Sequence, residues 1–219
     1  LTSLNVTSCT ALETLNCRNT NITELRVTNM PHLISLNVSN CTSLLRLYCY
    51  NNPYIIRLNV TGCTALLSLS CYQNPNFTTF IGLADCTALC NLYCYDCALT
   101  SLDDVQSLPN LALLSCMNNR LTTLTVNNKS HLTDLYCQNN PLLTTLTVIG
   151  NPYLSTLNCS YCTALTNLNC RSNDLTSLNV TGSTAIQELR CYYNTPLQTI
   201  TGLGGCTALT YFDCEDCFI

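Results

Sequence analysis

The stretch Ile55–Leu66 reads Ile-Ile-Arg-Leu-Asn-Val-Thr-Gly-Cys-Thr-Ala-Leu, and it decides the fold. Ile55, Leu58 and Val60 are apolar at i, i+3 and i+5, while Arg57, Asn59 and Thr61 alternate with them and are polar. That alternation is the period of a strand with one buried face. Gly62-Cys63-Thr64 then turns the chain, and Leu66 opens a second unit of the same kind. Helical spacing never develops, and Pro, Asn and Gly recur in the connections.

The unit recurs along the whole chain. Its first position is Leu1, Leu12, Ile22, Leu33, Leu44, Ile55, Leu66, Phe77, Leu89, Leu99, Leu111, Leu121, Leu132, Leu143, Leu154, Leu165, Leu175, Ile186, Leu197 and Leu209. A fixed period is the mark of a solenoid, in which each unit buries its apolar edge against its neighbours. Two units make one coil of about 22 residues. The expectation is one repeat solenoid over 1–219, mainly β, with two short parallel strands of about five residues per coil and little or no helix. Twenty half-coils give about ten coils and a rod of about 50 Å. The chain begins and ends mid-pattern and has no polar caps, so it reads as uncapped and as part of a longer chain.

The segment Leu111–Leu121, L-A-L-L-S-C-M-N-N-R-L, resembles the signature segment of leucine-rich repeats, with Cys in the third Leu slot. The alternate half, L-x-V-x-x-C-T-A-L, resembles the Cys variant of that segment. Pairs of this kind look like the short-repeat surface proteins of certain bacteria and protists, the BspA-like group. The resemblance covers all 219 residues. It departs from the long-helix subfamilies, because no segment has room for a convex helix.

Two kinds of half-repeat alternate. One has Cys as its second inward residue, as at Cys17, Cys49, Cys71, Cys94, Cys116, Cys137, Cys159, Cys170, Cys191 and Cys214; the other usually has Val. Consecutive Val halves at Val27 and Val38 shift the Cys halves to the other face, as do consecutive Cys halves at Cys159 and Cys170. The block from Leu44 to about Leu165 therefore carries its inward cysteines on one face. A second set sits in a turn slot that Asn takes elsewhere: Cys9, Cys41, Cys63, Cys86, Cys97, Cys162, Cys206 and Cys217. Asn there bonds turn backbone groups inside the coil, and a thiol does so weakly. Stacked inward cysteines sit one strand spacing apart, longer than a disulfide prefers. The nineteen cysteines are thus read as mainly free and buried, with Cys86–Cys90 and Cys94–Cys97 the candidates for pairing. The CxxC pairs at Cys94-Cys97, Cys159-Cys162 and Cys214-Cys217 follow from slots three residues apart, and no metal site is called.

Charged residues are 9% of the chain and the net charge is -4, with a single lysine, Lys129. No basic stripe invites nucleic acid, and no apolar run approaches a membrane span. Low charge with abundant Thr, Ser and Asn points to an extracellular or cell-surface protein. Most of the nine N-x-S/T sequons arise from outward Asn and Thr two residues apart and are weak evidence for glycans, and Asp213, Glu215 and Asp216 read as a solvated terminal turn. No catalytic constellation, P-loop or dinucleotide fingerprint is present, so neither enzyme activity nor a cofactor is expected. Pairs at Thr123/Thr125, Thr145/Thr147 and Thr199/Thr201 raise a third, minor reading, ice binding.

The outward positions of the central block carry Tyr48, Tyr50, Tyr72, Tyr93, Tyr95 and Tyr136 with Met117 on one face. Tyrosine among Ser and Asn is common binding-surface chemistry: rigid area with a polar tip. The alternative is a cross-strand ladder that only stabilises the sheet. The chain is expected to be a non-catalytic recognition or adhesion module that binds protein or carbohydrate through these tyrosines. The rival is a structural stalk or a filament subunit, self-associating end to end.

Overall fold

The computed structural model describes all 219 residues. Eighteen strands follow one another, each of three residues: β1 (Thr14–Asn16), β2 (Glu24–Arg26), β3 (Ser35–Asn37), β4 (Arg46–Tyr48), β5 (Arg57–Asn59), β6 (Ser68–Ser70), β7 (Thr79–Ile81), β8 (Asn91–Tyr93), β9 (Leu113–Ser115), β10 (Thr123–Thr125), β11 (Asp134–Tyr136), β12 (Thr145–Thr147), β13 (Thr156–Asn158), β14 (Asn167–Asn169), β15 (Ser177–Asn179), β16 (Glu188–Arg190), β17 (Thr199–Thr201) and β18 (Tyr211–Asp213). They are shorter than the expected five residues because each coil bends within one residue of the inward Val or Cys. No α-helix forms. Three short 3-10 segments occur, at Leu83–Asp85, Asp103–Ser107 and Leu203–Gly205.

All pairings are parallel, and each strand meets the residue 21 to 23 positions on, as in Arg46↔Ser68, Ser68↔Asn91 and Leu113↔Asp134. The chain is therefore a parallel β-solenoid of about 22 residues per turn. One face is an unbroken sheet of nine strands, in the order β17-β15-β13-β11-β9-β8-β6-β4-β2. The other face is split into β1-β3-β5-β7 and β10-β12-β14-β16-β18. Nine full coils form rather than ten. The first half-coil adds only a bridge, Asn5↔Arg26. The degenerate half-coil Leu99–Leu111 makes a 3-10 turn over Asp103–Ser107 where a strand would lie. Its Leu102, Val105 and Leu108 still point inward and are buried. Nine strands at about 4.8 Å spacing span about 38 Å between the outer two, less than the rod first expected.

One apolar core of 58 buried residues runs the length of the coil. Cys49, Cys71, Cys94, Cys116, Cys137 and Cys159 stack behind the nine-stranded sheet, each at most 1% exposed. Cys17, Cys170, Cys191 and Cys214 lie behind the other face, as the two slips require. Every cysteine is a free thiol, and neither Cys86–Cys90 nor Cys94–Cys97 is bridged. The side chains are committed elsewhere. Cys97 Sγ lies 3.3 Å from the Cys71 carbonyl, Cys86 Sγ 3.7 Å from that of Val60, and Cys90 Sγ 3.4 Å from that of Ala88.

The corners carry the hydrogen-bond problem. Each needs a residue with positive φ between the inward slot and the turn slot, and asparagine, the best non-glycine for that region, supplies seven of them. Gly82 (φ 75°) is needed on two counts, since a Cβ there would lie 2.3 Å from Thr61 Oγ1. The turn slot then satisfies the enclosed carbonyls. Asn140 Nδ2 donates to the carbonyls of Cys116 (3.1 Å) and Cys137 (2.9 Å), and its Oδ1 accepts from the Leu121 amide (3.2 Å). Asn52, Asn119, Asn173 and Asn194 repeat the arrangement. In the Cys slots the thiol keeps only one such bond, as at Cys41 and Cys63, each 3.1 Å from a carbonyl of the previous coil. Lys129 takes this slot next to the break. Its stem is buried, and its Nζ donates to the Gln106 carbonyl at 2.7 Å, tying the 3-10 turn to the following coil. That burial lowers the Lys129 pKa.

Replacing Asn140 by Leu orphans the Leu121 amide, leaves the Cys137 carbonyl with only the Cys162 thiol at 3.6 Å, and takes from the Cys116 carbonyl one of its two amide partners, Asn119 remaining. The variant is expected to lose about 2 kcal/mol, since a buried orphan costs roughly 1–3 kcal/mol. Asn140→Cys restores one of the bonds and should lose clearly less. Urea midpoints of the two variants at equal m-value check the order.

Burial pushes the thiols up, Cys63 and Cys162 to about 11 and Cys86 and Cys97 to about 12. In the unfolded chain the same thiols ionise near the ordinary value of 9.0. Above pH 9 the unfolded state therefore holds fewer protons than the folded one, and stability falls until the folded pKa is passed. The stabilisation is complete below pH 9 and each buried thiol removes up to about 1.4 kcal/mol per pH unit above it. Urea midpoints at pH 8 and pH 10 are expected to differ steeply. Equal midpoints would show that the thiols are already accessible.

Candidate tyrosine binding face

The tyrosines face outward because the strands that carry them alternate. Leu47, Leu69, Leu92, Leu114 and Leu135 at the strand centres point into the core and are at most 1% exposed, so both neighbours of each point out. Three outward columns result on the nine-stranded sheet. The strand-end column reads Arg26, Tyr48, Ser70, Tyr93, Ser115, Tyr136 and Asn158 in direct register. Beside it, two residues further along each chain segment, run Thr28, Tyr50, Tyr72, Tyr95, Met117 and Gln138.

The structure brings all six sequence-predicted tyrosines onto this one sheet, but in two different arrangements. Tyr50, Tyr72 and Tyr95 form a continuous stack, with ring centroids 4.6 and 4.5 Å apart and planes within 6° and 7° of parallel. The rings repeat close to the strand pitch, so each coil adds one ring to the stack. The faces of Tyr72 are covered on both sides. What the stack presents outward is ring edges and hydroxyls. Burial raises the pKa of Tyr72 and Tyr95, reinforced by the neighbouring phenols, so the hydroxyls stay protonated donors at neutral pH.

Tyr48, Tyr93 and Tyr136 are spaced instead by serines. The guanidinium of Arg26 lies 4.0 Å from the Tyr48 ring centroid. Arg26 also pairs with Glu24 at 2.9 Å, and Arg46 lies 4.0 Å from the same carboxylate. At the other end Tyr136 donates to Asp134 at 3.1 Å, and that bond raises its pKa. Tyr136 is exposed and the other five are half-buried.

Ser70 and Ser115 are the functional candidates that sequence reasoning passed over. They point outward, yet only 7% and 5% of their surface remains exposed, because the flanking tyrosines wall them in. Neither hydroxyl is bonded within the chain. Gln138 is a third case: its amide nitrogen reaches Met117 Sδ at 3.2 Å, and its Oε1 is enclosed without any partner. The signal for the serines was the strict Tyr-Ser-Tyr-Ser-Tyr order, legible only once the 21- to 23-residue steps were counted.

Other candidates fall elsewhere. The Thr199/Thr201 pair lies on β17 of the nine-stranded sheet, while Thr123/Thr125 and Thr145/Thr147 pair with each other on the opposite face. Beyond them that face continues with Asn167/Asn169 and Glu188/Arg190, so the threonines form no extended array. Asp213 accepts from the Tyr211 hydroxyl and the Glu215 amide within its own turn. No helix is long and apolar enough to cross a membrane.

No protein-family model matches the chain, and no curated protein matches it in sequence. Among solved structures it is similar to the functional domain of InlJ from Listeria monocytogenes, which includes a cysteine ladder, at 24% identity and a TM-score of 0.45, covering 97% of this chain and 60% of that one. It is similar to YopM, a leucine-rich effector protein from Yersinia pestis, at 17% identity and TM-score 0.40, covering 93% and 65%. It is also similar to Toll in the Drosophila Toll–Spatzle complex, at 17% identity and TM-score 0.37, covering 84% and 36%. The chain thus spans less than two thirds of each, and similarities at this level say nothing of what it binds.

Proposed function

We propose that this leucine-rich-repeat solenoid is a non-catalytic recognition module, displayed at a cell surface or secreted, that holds a protein partner against the tyrosine face of its nine-stranded sheet. The observation that carries the reading is the asymmetry of the two faces. One is an unbroken platform with six tyrosines gathered at its centre, while the other is split at Asp103–Ser107. Net charge at the centre of the platform is small, so the binding energy there must come from aromatic contact and hydrogen bonding rather than from ion pairs. A glycan is the weaker candidate, because sugar rings stack on aromatic faces and the faces of Tyr72 are taken by Tyr50 and Tyr95.

The test is selection of binders from a displayed library of random peptides, followed by comparison of the parent with Tyr72→Ser/Tyr93→Ser. Central aromatic anchors are worth about 2 kcal/mol or more each, so the double variant should bind at least thirtyfold more weakly. Its circular-dichroism strand signal should be unchanged, since both side chains lie outside the core. Undiminished affinity would overturn the assignment. Loss of the strand signal would show that the stack holds the sheet together instead.

A further inference from the structure

We infer that the tyrosine face accepts a proline-rich segment of its partner in the polyproline-II conformation, lying along the solenoid axis with residues i and i+3 seated over Ser70 and Ser115. The inference rests on the binding-face reading above and names the class of ligand that the face fits.

The spacing is the first argument. Ser70 and Ser115 stand two strand steps apart, with Tyr93 between them. Two steps of strand pitch are about 9.6 Å. The ring stack beside them gives the same scale, with successive steps of 4.6 and 4.5 Å. A polyproline-II helix has three residues per turn and rises about 3.1 Å per residue, so residues i and i+3 share one face about 9.3 Å apart. An extended strand repeats on one face at about 6.7 or 13.4 Å and misses the second site. An α-helix returns to one face near i+7, about 10.5 Å along, with its backbone already hydrogen-bonded to itself.

The second argument is the chemistry of the two gaps. Each is walled by tyrosines, Tyr48 and Tyr93 around Ser70 and Tyr93 and Tyr136 around Ser115, and floored by a serine more than nine-tenths buried. Neither serine hydroxyl has a partner in the chain, and the enclosed Gln138 Oε1 lies on the same face without one. A polyproline-II backbone has no internal hydrogen bonds, so its carbonyls are free to accept from hydroxyls of this kind. Aromatic walls with hydroxyl donors are the means by which such preformed helices are generally held.

Charge sets the direction. At one end Arg26 and Arg46 share the single carboxylate of Glu24, which leaves one positive charge over. At the other end stands Asp134. Arg46 and Asp134 open strands four steps apart in the sheet order β4-β6-β8-β9-β11. That is about 19 Å, against about 18.6 Å for six polyproline-II residues. The segment therefore carries an acidic residue near Arg46 and a basic one six positions away, near Asp134.

Isothermal titration with two synthetic twelve-residue peptides tests this. The first has prolines at i and i+3 with Asp and Lys flanking them six residues apart. The second has the same composition with the prolines four apart. The first is expected to bind at least tenfold more tightly. Ser70→Leu and Ser115→Leu, which fill the gaps, should each weaken it at least tenfold. Ser70→Ala/Ser115→Ala, which only removes the hydroxyls and leaves the packing alone, should weaken it threefold or more. Equal binding of the two peptides, no binding of either, or indifference to all the serine variants would overturn the inference. If the peptides fail while library binders still depend on Tyr72 and Tyr93, the ligand class falls and the binding face stands. If those binders ignore the tyrosines as well, both fall.

Discussion

Everything in this molecule depends on finding partners for the backbone groups that each coil traps at its corners. A coil of about 22 residues with strands of only three residues spends most of its length turning, so many of its carbonyls lie outside the strand ladders. Left unpaired, each would cost on the order of 1–3 kcal/mol, and with two corners per coil the sum would exceed the stability of an ordinary domain. The turn-slot side chain prevents this by bonding carbonyls of its own coil and of the one before. Asn74, with its amide bonded to the carbonyls of Cys49 and Cys71, therefore acts as a rivet between coils as well as a corner brace. Because each coil touches only its neighbours, the fold is a sum of such local terms, and the rivets set the cooperativity along the rod.

The same corners explain why so many cysteines stay apart. A thiol is small enough for the inward slot, where it packs as a hydrophobe, and polar enough for the turn slot, where it holds one carbonyl. Ser183 fills the turn slot in a third way, donating to the Cys159 carbonyl at 2.8 Å and accepting from the Cys162 amide at 3.0 Å. Three residue types thus solve one problem with decreasing numbers of bonds. The inward thiols are packed among apolar side chains and the turn-slot thiols, such as Cys63, Cys97 and Cys162, are bonded to carbonyls, so abundance of cysteine here is a packing choice and carries no framework of cross-links.

Much of this was legible in the sequence because a solenoid converts position into place. Reading the eleven-residue unit at Ile55–Leu66 was enough to assign Leu58 to the core, Asn59 to the surface and Cys63 to the turn. The two slips at Val27/Val38 and Cys159/Cys170 correctly moved the cysteines from one face to the other. Two things were hidden. The half-coil Leu99–Leu111 keeps its inward Leu and Val but forms a 3-10 turn, with Asp104 in the slot where the inward Val or Cys follows a strand elsewhere, and this split the second face. The burial of Ser70 and Ser115 was hidden too, because alternation along one strand marks both as outward, and only their neighbours one coil away enclose them.

A strand pitch fixed by backbone hydrogen bonding thus becomes a ruler on the surface. Side chains on successive coils repeat at that pitch whatever they are, so on the binding reading proposed above a periodic ligand would be matched by its rise as well as by its side chains. The tyrosines use the ruler in two ways. Where every coil supplies one, as at Tyr50, Tyr72 and Tyr95, the rings cover each other and the column is stiff. Where alternate coils supply one, as at Tyr48, Tyr93 and Tyr136, small serines intervene and the tyrosines repeat at twice the pitch. The stack lies alongside them. The unbroken face and the split one therefore differ in more than continuity: only the unbroken one keeps the ruler constant across the distance that a ligand of several residues would need.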